Sequence, residues 1–174
     1  MIFNHEKNIL ELLNIAIDAG KEILNIYNDE IIVNSKEDKS PITQADINSN
    51  DLIVNRLKKL ESNIPILTEE SMVEWKNRKD WIKYWLIDPL DGTKEFINRN
   101  GEFTVNISLI ENNYPIFGII YSPVKSLLYY ALKNNGCYKL KTNSNLSTLK
   151  NFNKINIHKE KNITTKIIGS RSHS

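Results

Sequence analysis

The sequence predicts an α+β fold in which two helices pack on an antiparallel sheet. Three observations predict it. Apolar residues recur every three or four positions over residues 4–28, and again in a segment ending near Leu60. From Phe103 onward, short apolar or alternating segments follow one another with turn residues between them. Asn134-Asn135-Gly136 divides two of those segments, and Asn-Gly is a strong signal for a tight hairpin. Helices first and a meander of strands afterwards is an α+β order.

The first helix, Asn4 to Asn28, carries Ile9, Leu12, Leu13, Ala16, Ile17, Ile23, Leu24 and Tyr27 as its inner stripe. Ile31-Ile32-Val33 is a short apolar piece, and the polar stretch Asn34 to Pro41 predicts an exposed loop. A second helix is predicted from Thr43 or Asp46 to Leu60, with Thr43 as N-cap and Ile47, Leu52, Ile53, Leu57 and Leu60 inward. Ile64 to Leu67 predicts a short strand, Trp75 to Lys83 a short helix or loop, and Trp85 to Ile87 a strand ending at Asp88. Phe103 to Ile110 and Ile116 to Tyr121 predict strands joined by a turn at Glu111 to Tyr114, and Leu127 to Leu132 with Cys137 to Leu140 the hairpin. Lys141 to Asn153 reads as a polar linker, and Ile155 to His158 and Lys166 to Gly169 as two last short strands.

Composition narrows the function. The 174 residues suit one domain, and 40% hydrophobic with 25% charged residues is ordinary for a globular chain. A net charge of +2 gives no bulk attraction to nucleic acid or to a membrane surface. The single cysteine, Cys137, excludes an internal disulfide and any Cys-based zinc site. No apolar run approaches the roughly 20 residues that span a bilayer, and Met1 to Lys7 lacks the order of a signal peptide. A cytoplasmic location is the expectation. Cys137, Tyr129-Tyr130 and Trp81-Tyr84-Trp85 read as sheet packing, His5 and His158 as surface, and Lys36, Lys39, Lys154, Lys159 and Lys161 as a solvated face.

The chemistry concentrates in Asp88-Pro89-Leu90-Asp91-Gly92-Thr93. Two carboxylates three residues apart follow a strand, and with the Leu90 carbonyl they make an all-oxygen donor set that suits Mg²⁺. Gly92 permits a positive φ, and Thr93-Lys94-Glu95-Phe96 can open a helix whose first amides suit a phosphate. Alone, this pattern is more often a tight acidic turn than a site. Glu69, at the end of the preceding strand, can be delivered beside Asp88, whereas Glu70 reads as solvated. Asp46 suits either a helix cap or a site acid.

Three motifs in order resemble the inositol-monophosphatase-like, lithium-sensitive, magnesium-dependent phosphatases: Ser40-Pro41-Ile42-Thr43-Gln44-Ala45-Asp46, Ile66-Leu67-Thr68-Glu69-Glu70-Ser71, and Trp85 to Phe96. Lys94-Glu95-Phe96, the segment Asn100 to Ile107 and the tail Gly169-Ser170-Arg171-Ser172-His173 resemble the 3′(2′),5′-bisphosphate nucleotidases within that family. The resemblance implies the N-terminal part of a layered αβαβα sugar-phosphatase fold, with residues 1–174 as its metal-binding half. It implies two or three Mg²⁺ ions, one held by Glu69, Asp88 and the Leu90 carbonyl and a second shared by Asp88 and Asp91. Asp46 and Thr93 would orient and activate the attacking water. The implied substrate set is Glu69, Leu90, Asp91, Gly92, Thr93, Ser170 and His173, with the Gly92 and Thr93 amides on the phosphate and Ser170 and His173 near the nucleotide.

The implied reaction is hydrolysis of adenosine 3′,5′-bisphosphate to AMP and phosphate, in sulfur metabolism, in the cytoplasm or peripherally at the inner membrane. The alternatives are an inositol-phosphate or other sugar phosphatase of the same family, or a truncated, non-catalytic remnant. The implied partner is a small nucleotide bisphosphate, with no nucleic acid. Family members continue into a second α/β region whose Trp-Asp motif completes the second metal site. Trp75, Trp81 and Trp85 are followed by Lys, Ile and Leu, so truncation, an absent C-terminal domain and association through an uncovered sheet are further expectations.

Overall fold

The amphipathic stripe near the N-terminus becomes α1 (Glu6–Tyr27), which buries Leu12, Leu13, Ile15, Ala16, Ile17, Ala19 and Ile23 completely. The coordinates are a computed structural model that describes residues 6–29, 32–35 and 41–156. Gly20 lets α1 approach the sheet closely, because a Cβ there would sit 2.5 Å from the Tyr121 ring. Next come β1 (Val33–Ser35) and β2 (Pro41–Thr43), a small antiparallel pair of its own. The stretch expected as loop therefore contributes Asn34, Ser35 and Pro41 to strands. Lys36 to Ser40 lie outside the described residues.

The second helix, α2 (Gln44–Leu60), starts as expected behind Thr43. It crosses α1 through Arg56, whose guanidinium donates to Glu11 and Asp18 at 2.6 Å each. The ion pairs sit at the rim of the α1–α2 contact, and apolar burial of Ile53 and Leu57 below them supplies most of the packing energy.

The large sheet has seven strands in the order β3 (Ile66–Thr68), β4 (Lys83–Asp91), β5 (Thr104–Glu111), β6 (Tyr114–Ser122), β7 (Leu127–Leu132), β8 (Gly136–Lys141) and β9 (Asn153–Ile155). The α+β expectation holds, with one difference in strand direction. β3 runs parallel to β4, and every other neighbouring pair is antiparallel. Parallel neighbours need a long connection, and residues 69–82, with α3 (Trp75–Arg78), supply it. The later turns are tight. Asn112 and Asn113 both adopt positive φ between β5 and β6, and Asn134 and Gly136 do so at the predicted hairpin, a conformation Asn and Gly tolerate best. The expected linker is anchored rather than loose: the Asn14 side chain bonds both the N–H and the C=O of Leu146. The last described strand is shifted to Asn153–Ile155, and the segment Lys166 to Gly169 lies outside the described residues.

The strand expected to end at Asp88 instead runs on to Asp91. Pro89 is accommodated because the pairing with β5 slips between Asp88 and Asp91, so no ladder N–H is required of it. Ser49 on α2 donates to the Pro89 carbonyl at 2.8 Å and ties this bulge to the helix layer. A fourth helix, α4 (Thr93–Ile97), follows directly.

Alternation divides the sheet into two faces. Trp85, Ile87, Val105, Ile107, Leu109, Phe117, Ile119, Tyr121 and Leu128 are buried against the helices. The opposite face carries Leu86, Asp88, Asn106, Ser108, Gly118 and Ile120, with Leu86 42% and Ile120 52% exposed. It forms an open trough of about 680 Å³ beginning at Glu69 and Asp88 and reaching Tyr129 and Cys137. No described helix is long and apolar enough to cross a membrane.

Candidate active site

Three elements, α2, β3 and β4, bring the acids together. Parallel pairing aligns Thr68 with Ile87, and the Glu69 amide donates to the Ile87 carbonyl at 3.2 Å. Glu69 is thereby placed next to Asp88, and the two carboxyls are in hydrogen-bonding contact. Asp91, three residues along the bulged strand, lies close enough to add its charge. Burial, then the charges of Glu69 and Asp91, push the Asp88 carboxyl up to about 7. Its Oδ1 is buried and has no hydrogen-bond partner among the described residues. Also among the described residues, no three His, Cys, Asp or Glu side chains close into a ready metal cage. The carboxylates meet as pairs around Asp88.

Asp46 caps α2 and also bonds Thr93. It lies in the first turn of α2, 1% exposed. Its Oδ2 accepts from the Thr43 N–H at 2.7 Å and from the Thr43 hydroxyl at 2.6 Å, an N-cap arrangement. Its Oδ1 accepts from the Thr93 hydroxyl at 3.1 Å. The same hydroxyl lies 3.4 Å from the Leu90 carbonyl oxygen, and Leu90 itself is buried. Gly92 caps α4 at φ 98°, and a Cβ there would meet the Glu102 carbonyl at 3.0 Å, so the turn from β4 into α4 needs glycine. The amides of Thr93 and Lys94 belong to the first turn of α4, where no helical carbonyl precedes them.

The structure thus gathers Asp46, Glu69, Asp88, Leu90, Asp91, Gly92 and Thr93 around one strand end. Ser170 and His173 lie outside the described residues. Glu70 is half-buried and its amide approaches Thr68 Oγ1 at 3.4 Å. Two residues emerge without an assigned role from the sequence. Ser49 anchors the bulge from α2. Asn106, paired opposite Asp88, donates to Asp91. The signal for Asn106 was its phase: Thr104, Asn106 and Ser108 are the polar half of an alternating strand.

The inositol monophosphatase family model matches residues 6–174, almost the entire chain. The chain belongs to the inositol monophosphatase family. Among curated members it is 46% identical to the 3′(2′),5′-bisphosphate nucleotidase CysQ of Salmonella typhimurium over 123 residues, which is 70% of this chain and 50% of that protein. The crystal structure of CysQ from Bacteroides thetaiotaomicron superposes with a TM-score of 0.76 at 37% identity, covering 91% of this chain and 61% of the other. The inositol monophosphatase fold is also shared with an IMPase/NADP phosphatase complexed with Mg²⁺ and phosphate, at 17% identity and a TM-score of 0.62, over 70% of this chain and 46% of the other. The chain spans about half the length of the curated relatives it matches.

The raised Asp88 carboxyl makes metal-free stability depend on pH. Its ordinary value is 3.8 and its folded value about 7, so the folded state keeps a proton that the unfolded chain releases between them. The stabilisation is complete below pH 3.8 and is lost as pH rises through about 7. The Tm of the metal-free protein is expected to fall over this window, and more steeply than that of Asp88→Asn. Parallel Tm–pH curves for the two proteins would remove this assignment.

Proposed function

We propose that the site hydrolyses a phosphate monoester with Mg²⁺, and that the substrate is adenosine 3′,5′-bisphosphate, cleaved to AMP and phosphate. The observation that carries the proposal is the Asp46–Thr93 hydrogen bond standing beside the Glu69, Asp88 and Asp91 carboxylates. The donors fit Mg²⁺: they are all oxygen, Asp88 Oδ1 is buried without a partner among the described residues, and three acids this close repel one another in the absence of a cation. Glu69, Asp88 and the Leu90 carbonyl would hold one ion, and Asp88 and Asp91 would share another. Bound Mg²⁺ supplies charge neutralisation and a more acidic water.

The remaining work falls to the chain's own groups. The Thr93 hydroxyl donates its hydrogen bond to Asp46 Oδ1, which leaves the Thr93 oxygen lone pairs to accept from a water. That water's proton passes by way of Thr93 to Asp46 as its oxygen bonds to phosphorus. The ester P–O bond breaks and the departing ribose oxygen takes up a proton from solvent. The Gly92 and Thr93 amides would orient the phosphate oxygens, and Ser170 and His173 would contact the nucleotide.

Phosphate release at millimolar Mg²⁺ tests the substrate. Adenosine 3′,5′-bisphosphate is expected to be turned over with a higher kcat/KM than inositol 1-phosphate or fructose 1,6-bisphosphate. A preference for either sugar phosphate would overturn the nucleotide assignment and leave the phosphatase chemistry standing.

A further inference from the structure

We propose that Asn106 is a positioning residue that fixes the rotamer of Asp91 for cation binding, and that Thr104 in turn fixes the Asn106 amide; this role rests on the metal-dependent phosphatase function proposed above. Asn106 Nδ2 donates to Asp91 Oδ2 at 3.1 Å, and Thr104 Oγ1 donates to Asn106 Oδ1 at 3.1 Å. Both β5 residues stand in register with the acids, Asn106 opposite Asp88 and Thr104 opposite Asp91. The direction of the relay follows from what each group can do. An ionised carboxylate only accepts, so the amide must present Nδ2 to Asp91, and Oδ1 is left for the Thr104 hydroxyl.

The two acids differ in their need for such a tether. Asp88 is largely enclosed, and its surroundings limit its rotamers. Asp91 is exposed, and an exposed Asp samples several rotamers unless something holds it. Asn106 engages Oδ2 alone, which leaves Oδ1 available to a cation. A partner that orients a liganding carboxylate in this way acts on metal affinity through that ligand. Asn106 sits on the sheet face away from the helices, where it packs none of the core.

Mg²⁺ titration calorimetry on the full chain is the test. Asn106→Leu is expected to raise the Mg²⁺ Kd about 10–100-fold while the metal-free Tm stays unchanged. Thr104→Val is expected to shift the Kd in the same direction by less. Wild-type affinity in Asn106→Leu, with Mg²⁺ lost from Asp88→Asn, overturns the role of Asn106 and leaves the metal site intact. A raised Kd accompanied by a lower metal-free Tm marks a structural role and overturns the proposal as well. Mg²⁺ binding that survives Asp88→Asn, or a wild-type chain that takes up no Mg²⁺, overturns the metal site and this role with it. If Asn106→Leu does not fold, Thr104→Val decides: an unchanged Kd overturns the proposal and a raised Kd upholds it.

Discussion

Asp88→Asn is expected to abolish Mg²⁺ uptake and phosphate release while raising the heat stability of the metal-free protein at pH 8. Both effects have one origin. Asp88 stands between Glu69 and Asp91, and its buried Oδ1 lacks a partner among the described residues. With a cation present, this carboxylate would be the donor common to both proposed ion positions. Removing one member of a desolvated charge arrangement costs about 3–5 kcal/mol, which corresponds to roughly 10²–10⁴-fold in Kd. Without a cation, the same carboxylate is a buried negative charge beside two others, and a neutral amide of the same shape relieves the repulsion. Calorimetry and a thermal melt on one preparation measure both. Unchanged Mg²⁺ affinity, or a lower metal-free Tm at pH 8, would contradict the assignment.

Thr93→Ala is expected to lower kcat by about 10²–10⁴, the usual contribution of a positioned acid–base group, with KM and Tm little changed. The half-buried hydroxyl contributes one bond to Asp46 and approaches the Leu90 carbonyl, so α4 retains its backbone bonds without it. Asp46→Ala makes the contrast. It removes the acceptor for Thr93 and the cap of α2 together, so it should lose activity and also about 1 kcal/mol of stability. Steady-state kinetics beside melting curves separate the two positions. A Thr93→Ala protein that loses Tm in step with kcat would reduce Thr93 to a packing role.

Features encoded locally were legible in the sequence. The stripe of α1 follows from the spacing of Ile9, Leu12, Ala16 and Ile23, the start of α2 from Thr43, and the β7–β8 hairpin from Asn135-Gly136. Strand direction was not legible, because alternation is the same in parallel and antiparallel strands; β3 is parallel only because residues 69–82 cross over. Nor was the continuation of β4 past Pro89, which depends on a slip in pairing with β5 and a bond from Ser49. Within the candidate site, Glu69 and Asp88 could be paired from adjacent strand ends. The Asp46–Thr93 bond joins residues 47 positions apart, and only the family resemblance suggested that pairing. Asn106 escaped notice because a polar residue on an alternating strand reads as solvent-facing whether or not it holds an acid.

The topology also orders assembly. The strands β5 to β8 are joined by short turns at residues 112–113, 123–126 and 133–135, so their pairings form at small loop-closure cost. The acids sit at the other end of the sheet, where β3 reaches β4 only through a crossover and α2 must dock from the layer below. Contacts of that kind are late in folding, since distant segments must meet before any bond rewards them. Asp88 and Asp91 share β4, so Glu69 is the acid that arrives through the crossover, and its repulsion with them weighs on that docking step rather than on the first collapse of the chain.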